Sequence, residues 1–154
     1  MQTTEFLIEN GFDMEMKAEE DITVTYHDPC RLGRQMGIYE EPRELVASVE
    51  GVELVEMEHH GEDAMCCGVS SMMSCNENAR ALRVSRFEEI RATGADMMIT
   101  SCPKCVSHFE CLKFEGDERH DVEILDVVSF LARQVNAKKV QAEVLAPVSE
   151  LAEA

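Results

Sequence analysis

Five of the seven cysteines fall into three groups, and each group follows a short β-rich run. Cys30 comes after Ile22 to Tyr26. The vicinal pair Cys66 and Cys67 comes after Val52 to Met57. Cys102 and Cys105, in the segment Ser-Cys-Pro-Lys-Cys, come after Asp96 to Thr100. Helical patterns lie between the runs, and this alternation is that of an α/β domain: a small, mostly parallel sheet flanked by helices. Parallel strands end on one side, so the three groups are predicted to meet past the carboxyl ends of the strands, where open α/β sheets build their sites.

The runs differ in character. Ile22 to Tyr26 is β-branched and aromatic, as strands are. Val52 to Met57 alternates less cleanly and reads as an edge, whereas Asp96 to Thr100 is almost wholly apolar and reads as a central strand covered on both faces. Val122 to Leu125 is a fourth strand candidate. Asn76 to Thr93 places Ala79, Leu82, Phe87 and Ile90 at helical intervals with Gly94 behind them as a cap. Glu41 to Val49, with Pro42 in the first turn, and Asp126 to Gln134, with Asp126 as N-cap, are shorter helices. The expected organisation is an acidic N-terminal segment over 1–21 with a brief helix at Thr4 to Asn10, a domain over 22–136, and an Ala- and Glu-rich tail over 137–154. No P-loop and no GxGxxG occurs.

Fourteen Lys and Arg against thirty-one Asp and Glu give a net charge of −17, which repels phosphate backbones and anionic headgroups. Nucleic acid is thereby excluded as a partner. No apolar run reaches the 18 or so residues of a membrane span, and the first residues lack the pattern of a secretory signal, so the expected location is cytoplasmic. An odd number of cysteines in a reducing compartment points to metal ligands or redox groups rather than bridges. Structural zinc prefers two C-x-x-C knuckles. Here one knuckle, one vicinal pair and one single cysteine offer five thiols, and vicinal side chains diverge, which suits separate irons of an iron–sulfur cluster; zinc is the alternative. Pro103 at a first helical turn leaves the N–H groups that follow free to point at sulfur, and Gly68 lets the backbone come close to a cluster.

Thirty-five residues separate Cys30 from Cys66, and thirty-four separate Cys67 from Cys102. With the Cys66-Cys67-Gly68 triplet and the Cys102-Pro103-Lys104-Cys105 knuckle, this spacing resembles the cysteine-rich CCG domain of the B-type and D-type components of heterodisulfide reductase, found also in iron–sulfur subunits of glycolate and lactate oxidation. The resemblance covers about Ile22 to Phe114. It implies a noncubane 4Fe-4S cluster held by Cys30, Cys66, Cys67, Cys102 and Cys105, electron transfer toward a disulfide or thiol small molecule, and partnership with flavin or iron–sulfur subunits or a second copy of the chain. The family enzymes usually carry two copies of the motif, and this chain carries one. Val69 to Cys75 replaces the glycine-rich stretch common after the triplet.

Other residues have sharper and plainer readings. Cys75 and Cys111 are accessory ligands or small core residues. Arg31, Arg34 and Lys104 flank the ligand cysteines and offset cluster charge, hold an anionic substrate, or are simply solvated. His27 is a candidate proton relay, with a backbone hydrogen bond as its alternative. His59 and His60 read as solvated and His108 as packed. Met72 and Met73 are candidates to shield the cluster. The stretch Glu40 to Asp63, nine acids and one arginine, reads as a solvated face or a docking surface for a basic partner. The readings open at this stage are a redox-enzyme subunit, a shielded electron-relay or assembly module, and a zinc-stabilised interaction domain.

Overall fold

A computed structural model describes residues 3–9, 16–69, 76–114 and 122–135. Along the chain they form α1 (Thr3–Glu9), β1 (Lys17–His27), α2 (Gly33–Met36), α3 (Glu40–Ala47), β2 (Glu50–Val55), a 3-10 turn (Gly61–Asp63), α4 (Glu77–Ala92), β3 (Met97–Thr100), α5 (Pro103–Lys113), β4 (Glu123–Asp126) and α6 (Val127–Gln134). The four strands make one sheet in the order β2-β1-β3-β4. All three pairings are parallel, with Val24 opposite Leu54 and Met97, and Met98 opposite Ile124. The expected α/β architecture is therefore present, with β2 at an edge.

Order β2-β1-β3-β4 means that the chain turns one way from β1 to β2 and the other way from β2 to β3 and β4. The direction reverses between β1 and β3, which leaves a crevice beyond their carboxyl ends. Cys30 and Cys102 follow these two strands. The Thr100 hydroxyl donates to the His27 carbonyl at 2.9 Å and ties the two strand ends together.

Alternation along the strands splits the interior into two cores. Val24, Tyr26, Met97 and Ile99 face one side and pack with Leu45 and Val46 of α3 and with Phe130 and Leu131 of α6. Met98 and Ile124 face the other and pack with Phe87 and Ile90 of α4, Phe109 and Leu112 of α5, and the thiols Cys67 and Cys105. All four residues of β3 are buried, as its apolar run requires. The caps follow from the sequence as well: the Asn76 side chain accepts from the Ala79 N–H at 2.8 Å, and the Asp126 side chain accepts from the Val128 N–H at 2.9 Å.

Three expectations change. Strand β1 begins at Lys17 rather than Ile22, because its charged first half pairs with the edge strand, Lys17 lying opposite Glu50. Leu82, assigned to the buried stripe of α4, is 40% exposed, while Arg83 and Arg86 are buried in its place. The stretch Glu40 to Asp63 is not a uniformly solvated face, because Arg43 turns inward and is buried while Glu56 reaches it from the surface. The tail after residue 136, Met72, Met73 and Cys75 lie outside the described residues.

Arg43 joins segments that bear cysteines. Its guanidinium grips both oxygens of Asp28 at 2.7 and 2.9 Å and both oxygens of Glu56 at 2.7 and 3.1 Å. It also donates to the Tyr39 carbonyl at 2.8 Å and stacks over the Tyr26 ring. Asp28 accepts a further bond from the Gly61 N–H at 2.8 Å. Burial opposes charge on Arg43, but the bonds to Asp28 and Glu56 outweigh it and raise its pKa. Removing the guanidinium strands Asp28, whose side chain is only 3% exposed. Arg43→Leu is therefore expected to cost about 3–5 kcal/mol in denaturant unfolding, as for breaking a buried pair. Glu56→Gln, at a position 30% exposed, is expected to cost about 1 kcal/mol or less. Equal losses would show that the network does not depend on Arg43.

Candidate metal centre

Three loops at the carboxyl ends of the strands deliver the five thiols. Cys30 lies in a tight turn after β1, closed by the Gly33 N–H on the Pro29 carbonyl at 2.9 Å. Arg34, in the helical turn that follows, donates to the Ala64 carbonyl at 2.5 Å and holds this loop against the one leading to Cys66. The Asp28–Gly61 bond makes the same connection from the other side.

The triplet Cys66-Cys67-Gly68 is a device for aiming N–H groups. Gly68 adopts φ +90°, a left-handed conformation suited to glycine. Its N–H donates to the Cys66 sulfur at 3.3 Å, and the Val69 N–H donates to the Cys67 sulfur. A Cβ on Gly68 would lie 2.5 Å from the Ala79 carbonyl oxygen and 3.2 Å from Nε2 of His108. Close approach of this turn to α4 and α5 thus requires glycine twice, for conformation and for space.

The knuckle works through a helix start. Cys102 is the extended N-cap of α5, and Pro103 occupies the first turn. The backbone N–H groups of Cys105 and Lys104 both donate to the Cys102 sulfur. Together with the Cys105 thiol, the largest influence, they lower the Cys102 pKa to about 6. Cys105 lies one turn into the helix, buried, with its sulfur 3.3 Å from that of Cys67. Its contacts with the Cys102 and Cys67 sulfurs, together with burial, hold its pKa up. The Cys105 bond, helped by His27 and Val69, depresses the Cys67 thiol against the effect of burial. Cys67 and Cys102 are thus pushed toward the anion and Cys105 toward the thiol.

His27, Cys67 and Cys105 are all buried, and their ligating atoms lie within 4.8 Å of one another. Sulfurs bound to one metal at about 2.3 Å in a tetrahedron stand roughly 3.7 Å apart, so a small outward movement of Cys67 and Cys105 admits an ion. The donor set fits a soft, thiolate-binding metal group. Cys30, Cys66 and Cys102 are half-buried and stand outside the close trio. Cys111 is not brought to it: its thiol donates to the Ser107 carbonyl one helical turn earlier, at 3.3 Å.

The remaining candidates separate clearly. Arg31 and Lys104 are exposed beside Cys30 and Cys102. Among the described residues the His27 ring bonds to Arg86 rather than to backbone, with the Cys67 sulfur within 4.8 Å of a ligating ring nitrogen, and burial lowers its pKa. His59 is paired with Glu89 at 2.9 Å rather than freely solvated, and His60 meets the Met57 carbonyl at 2.8 Å. His108 is buried behind Gly68 beside Arg83, as the packed reading expects. Sequence reasoning missed Asp28, Arg43 and Arg86. The first of these carried a signal in its place two residues before Cys30. Gly68→Ala is expected to destabilise the protein by about 1–3 kcal/mol and to lower its retained metal. Gly37→Ala, also at positive φ but with open space around it, is expected to leave metal content unchanged. Equal metal retention in the two variants, measured by elemental analysis, would sink the close-approach account.

Comparison with known proteins bears on the same residues. The family of cysteine-rich CCG domains matches residues 24–110. The D-type component of the dihydromethanophenazine:CoB–CoM heterodisulfide reductase of Methanosarcina acetivorans is 36% identical over 115 residues, 73% of this chain and 28% of that protein. A probable iron–sulfur-binding oxidoreductase of Bacillus subtilis is 35% identical over 115 residues, 73% of this chain and 16% of its own length. The B-type component of the CoM/CoB fumarate reductase of Methanothermobacter marburgensis is 37% identical over 134 residues, 85% of this chain and 26% of that protein. The chain thus spans between 16% and 28% of the length of these curated relatives. The match runs from β1 through the knuckle and takes in all three thiol groups: the chain belongs to the CCG cysteine-rich domain family.

Proposed function

We propose that this chain is an iron–sulfur redox subunit, or a part of one, in a heterodisulfide-reductase-like complex of the cytoplasm. In this reading, Cys30, Cys66, Cys67, Cys102 and Cys105, all within the 22–136 segment, hold a noncubane 4Fe-4S cluster and pass electrons toward a disulfide or thiol substrate. The observation that carries the reading is the approach of the Cys67 and Cys105 sulfurs to 3.3 Å in a buried place, with Cys102 capping the helix on which Cys105 lies. Isolated structural cysteines have no reason to converge from two separate segments. The names of the relatives, a component of heterodisulfide reductase and an iron–sulfur-binding oxidoreductase among them, support the same class.

Bound there, the cluster supplies electrons one at a time; two electrons and two protons convert a disulfide into two thiols. The residues of the chain divide the work. Cys67 and Cys105 anchor from the buried side, beneath α4 and α5, where water is excluded. Cys30, Cys66 and Cys102 are half-buried among the described residues, and in this reading a substrate approaches from that side. Arg31 and Lys104 are exposed beside it and attract an anionic one. This partial exposure favours a reacting centre over a shielded relay or assembly module. Zinc in a structural site is the remaining outcome of the metal analysis.

Protein prepared without oxygen is expected to carry about four irons and as many acid-labile sulfides per chain. Cys67→Ser is expected to abolish or convert the cluster, whereas Cys111→Ser, whose thiol is spent on its own helix, is expected to keep most of the iron. Stoichiometric zinc with negligible iron would overturn the proposal, and equal iron loss in both variants would redraw the ligand set.

One motif supplies ligands for one cluster; in this reading the second redox centre of a two-centre reaction lies outside these 154 residues, with a flavin or iron–sulfur partner or a second copy as its proposed source. With a net charge of −17, association with a basic surface is expected to weaken as salt rises from roughly 50 to 500 mM, a change that shortens the Debye length several-fold. Pull-down from the native cell at both salt levels tests this. An isolated monomer that turns over a disulfide with only a chemical electron donor would refute the need for a second centre.

A further inference from the structure

His27, the last residue of β1, is 1% exposed, and its ring stands edge-on to Phe109 with centroids 5.1 Å apart. Packing of this kind leaves the ring one orientation. The Arg86 Nε–H donates to its Nδ1 at 3.2 Å. A guanidinium has only hydrogens to offer, so Nδ1 must present its lone pair. The single hydrogen of the neutral ring is then on Nε2, and a ligating nitrogen of the ring lies within 4.8 Å of the Cys67 sulfur.

Arg86 cannot swing away to release this arrangement. It is fully buried. Its Nη1 donates to the His59 carbonyl at 2.7 Å and to Glu89 at 2.5 Å. Glu89 in turn accepts the His59 N–H at 3.2 Å and meets the His59 ring at 2.9 Å. A second hydrogen on His27 would have to sit on Nδ1, pointing at the Arg86 N–H, with two cations in contact away from water. The ring therefore has one hydrogen and one direction in which to give it.

We propose that Arg86 fixes His27 as the Nε2–H tautomer and that His27 donates this hydrogen to the Cys67 sulfur, a positioning role that sets the reduction potential of the metal group rather than carrying protons to substrate. Hydrogen bonds to a ligand sulfur draw charge off the metal and favour the reduced state. The redox consequence rests on the cluster reading above. The tautomer does not.

Two measurements test the proposal separately. In protein labelled with 15N-histidine and examined as purified, whatever metal it holds, His27 is expected to show a protonated Nε2 and a bare Nδ1. Arg86→Met is expected to lose this fixed pattern. A protonated Nδ1 in the parent protein overturns the proposal. In the cluster-loaded protein, potentiometric titration followed by electron paramagnetic resonance reads the potential. His27→Phe, which keeps the ring packing and loses the donor, is expected to reduce the equilibrium constant for reduction about tenfold, or about 59 mV for a one-electron couple. His27→Gln, which retains an N–H, is expected to recover part of the shift. An unchanged potential in a His27→Phe protein with full iron content refutes the tuning role. Zinc in place of iron defeats the cluster reading instead, and the tautomer measurement then decides this inference by itself.

Discussion

The Arg43 guanidinium is the interaction on which the arrangement of the site depends. Strand ends fix where loops begin, but not where a thiol three or eleven residues later comes to rest. Arg43 supplies that second constraint by holding Asp28, two residues before Cys30, and Glu56, at the exit of β2, in one grip. Asp28 then reaches Gly61 in the loop that leads to Cys66. Such a buried network is costly to assemble and costly to break, and its geometry is directional in a way that apolar packing is not. Lysine, a point charge on a flexible stem, has no means of filling the same position.

Around this grip the fold distributes labour by face. One core, between the sheet and the helices α3 and α6, gathers aliphatic, aromatic and methionine side chains and, among the described residues, holds none of the cysteines. The other, under α4 and α5, includes Cys67 and Cys105. The reversal of chain direction between β1 and β3 places the crevice where the thiol-bearing loops start, and the Thr100–His27 bond keeps its rim from opening. The N–H groups of Gly68, Val69, Lys104 and Cys105 are aimed at three of the sulfurs by local backbone geometry.

Much of this is legible in the sequence for physical reasons. The parallel sheet can be read because β3 is apolar throughout and because the thiol groups recur after strands. The role of Pro103 can be read because proline at a helix start has one structural meaning. The buried arginines escape such a reading. Hydrophobic periodicity on α4 selects Leu82 and skips Arg83 and Arg86, since an arginine joins a core only when remote residues receive its hydrogens. For Arg86 one of those is His27, 59 positions away in the chain. The first half of β1 is missed for a related reason: its pairing with β3 begins only at Val24, and a stretch of strand without a partner on that side tolerates charged residues, so alternation there is weak.

The presence of two of the proposed ligand thiols among the residues of one core has a consequence for how the protein is maintained. Cys67 and Cys105 contribute to the packing of α4 and α5 in the same way as Phe87 and Leu112, so on the proposed ligand assignment occupancy of the metal centre and cohesion of that face belong to one equilibrium. The opposite face has no such dependence. A shortage of metal is then felt as a one-sided loosening, with the α4 and α5 layer the first to exchange its amide hydrogens and the first to meet a protease, while β1, α3 and α6 persist as a folded remnant. Quality control that recognises exposed apolar surface can by this route sort loaded from unloaded chains without sensing the metal itself.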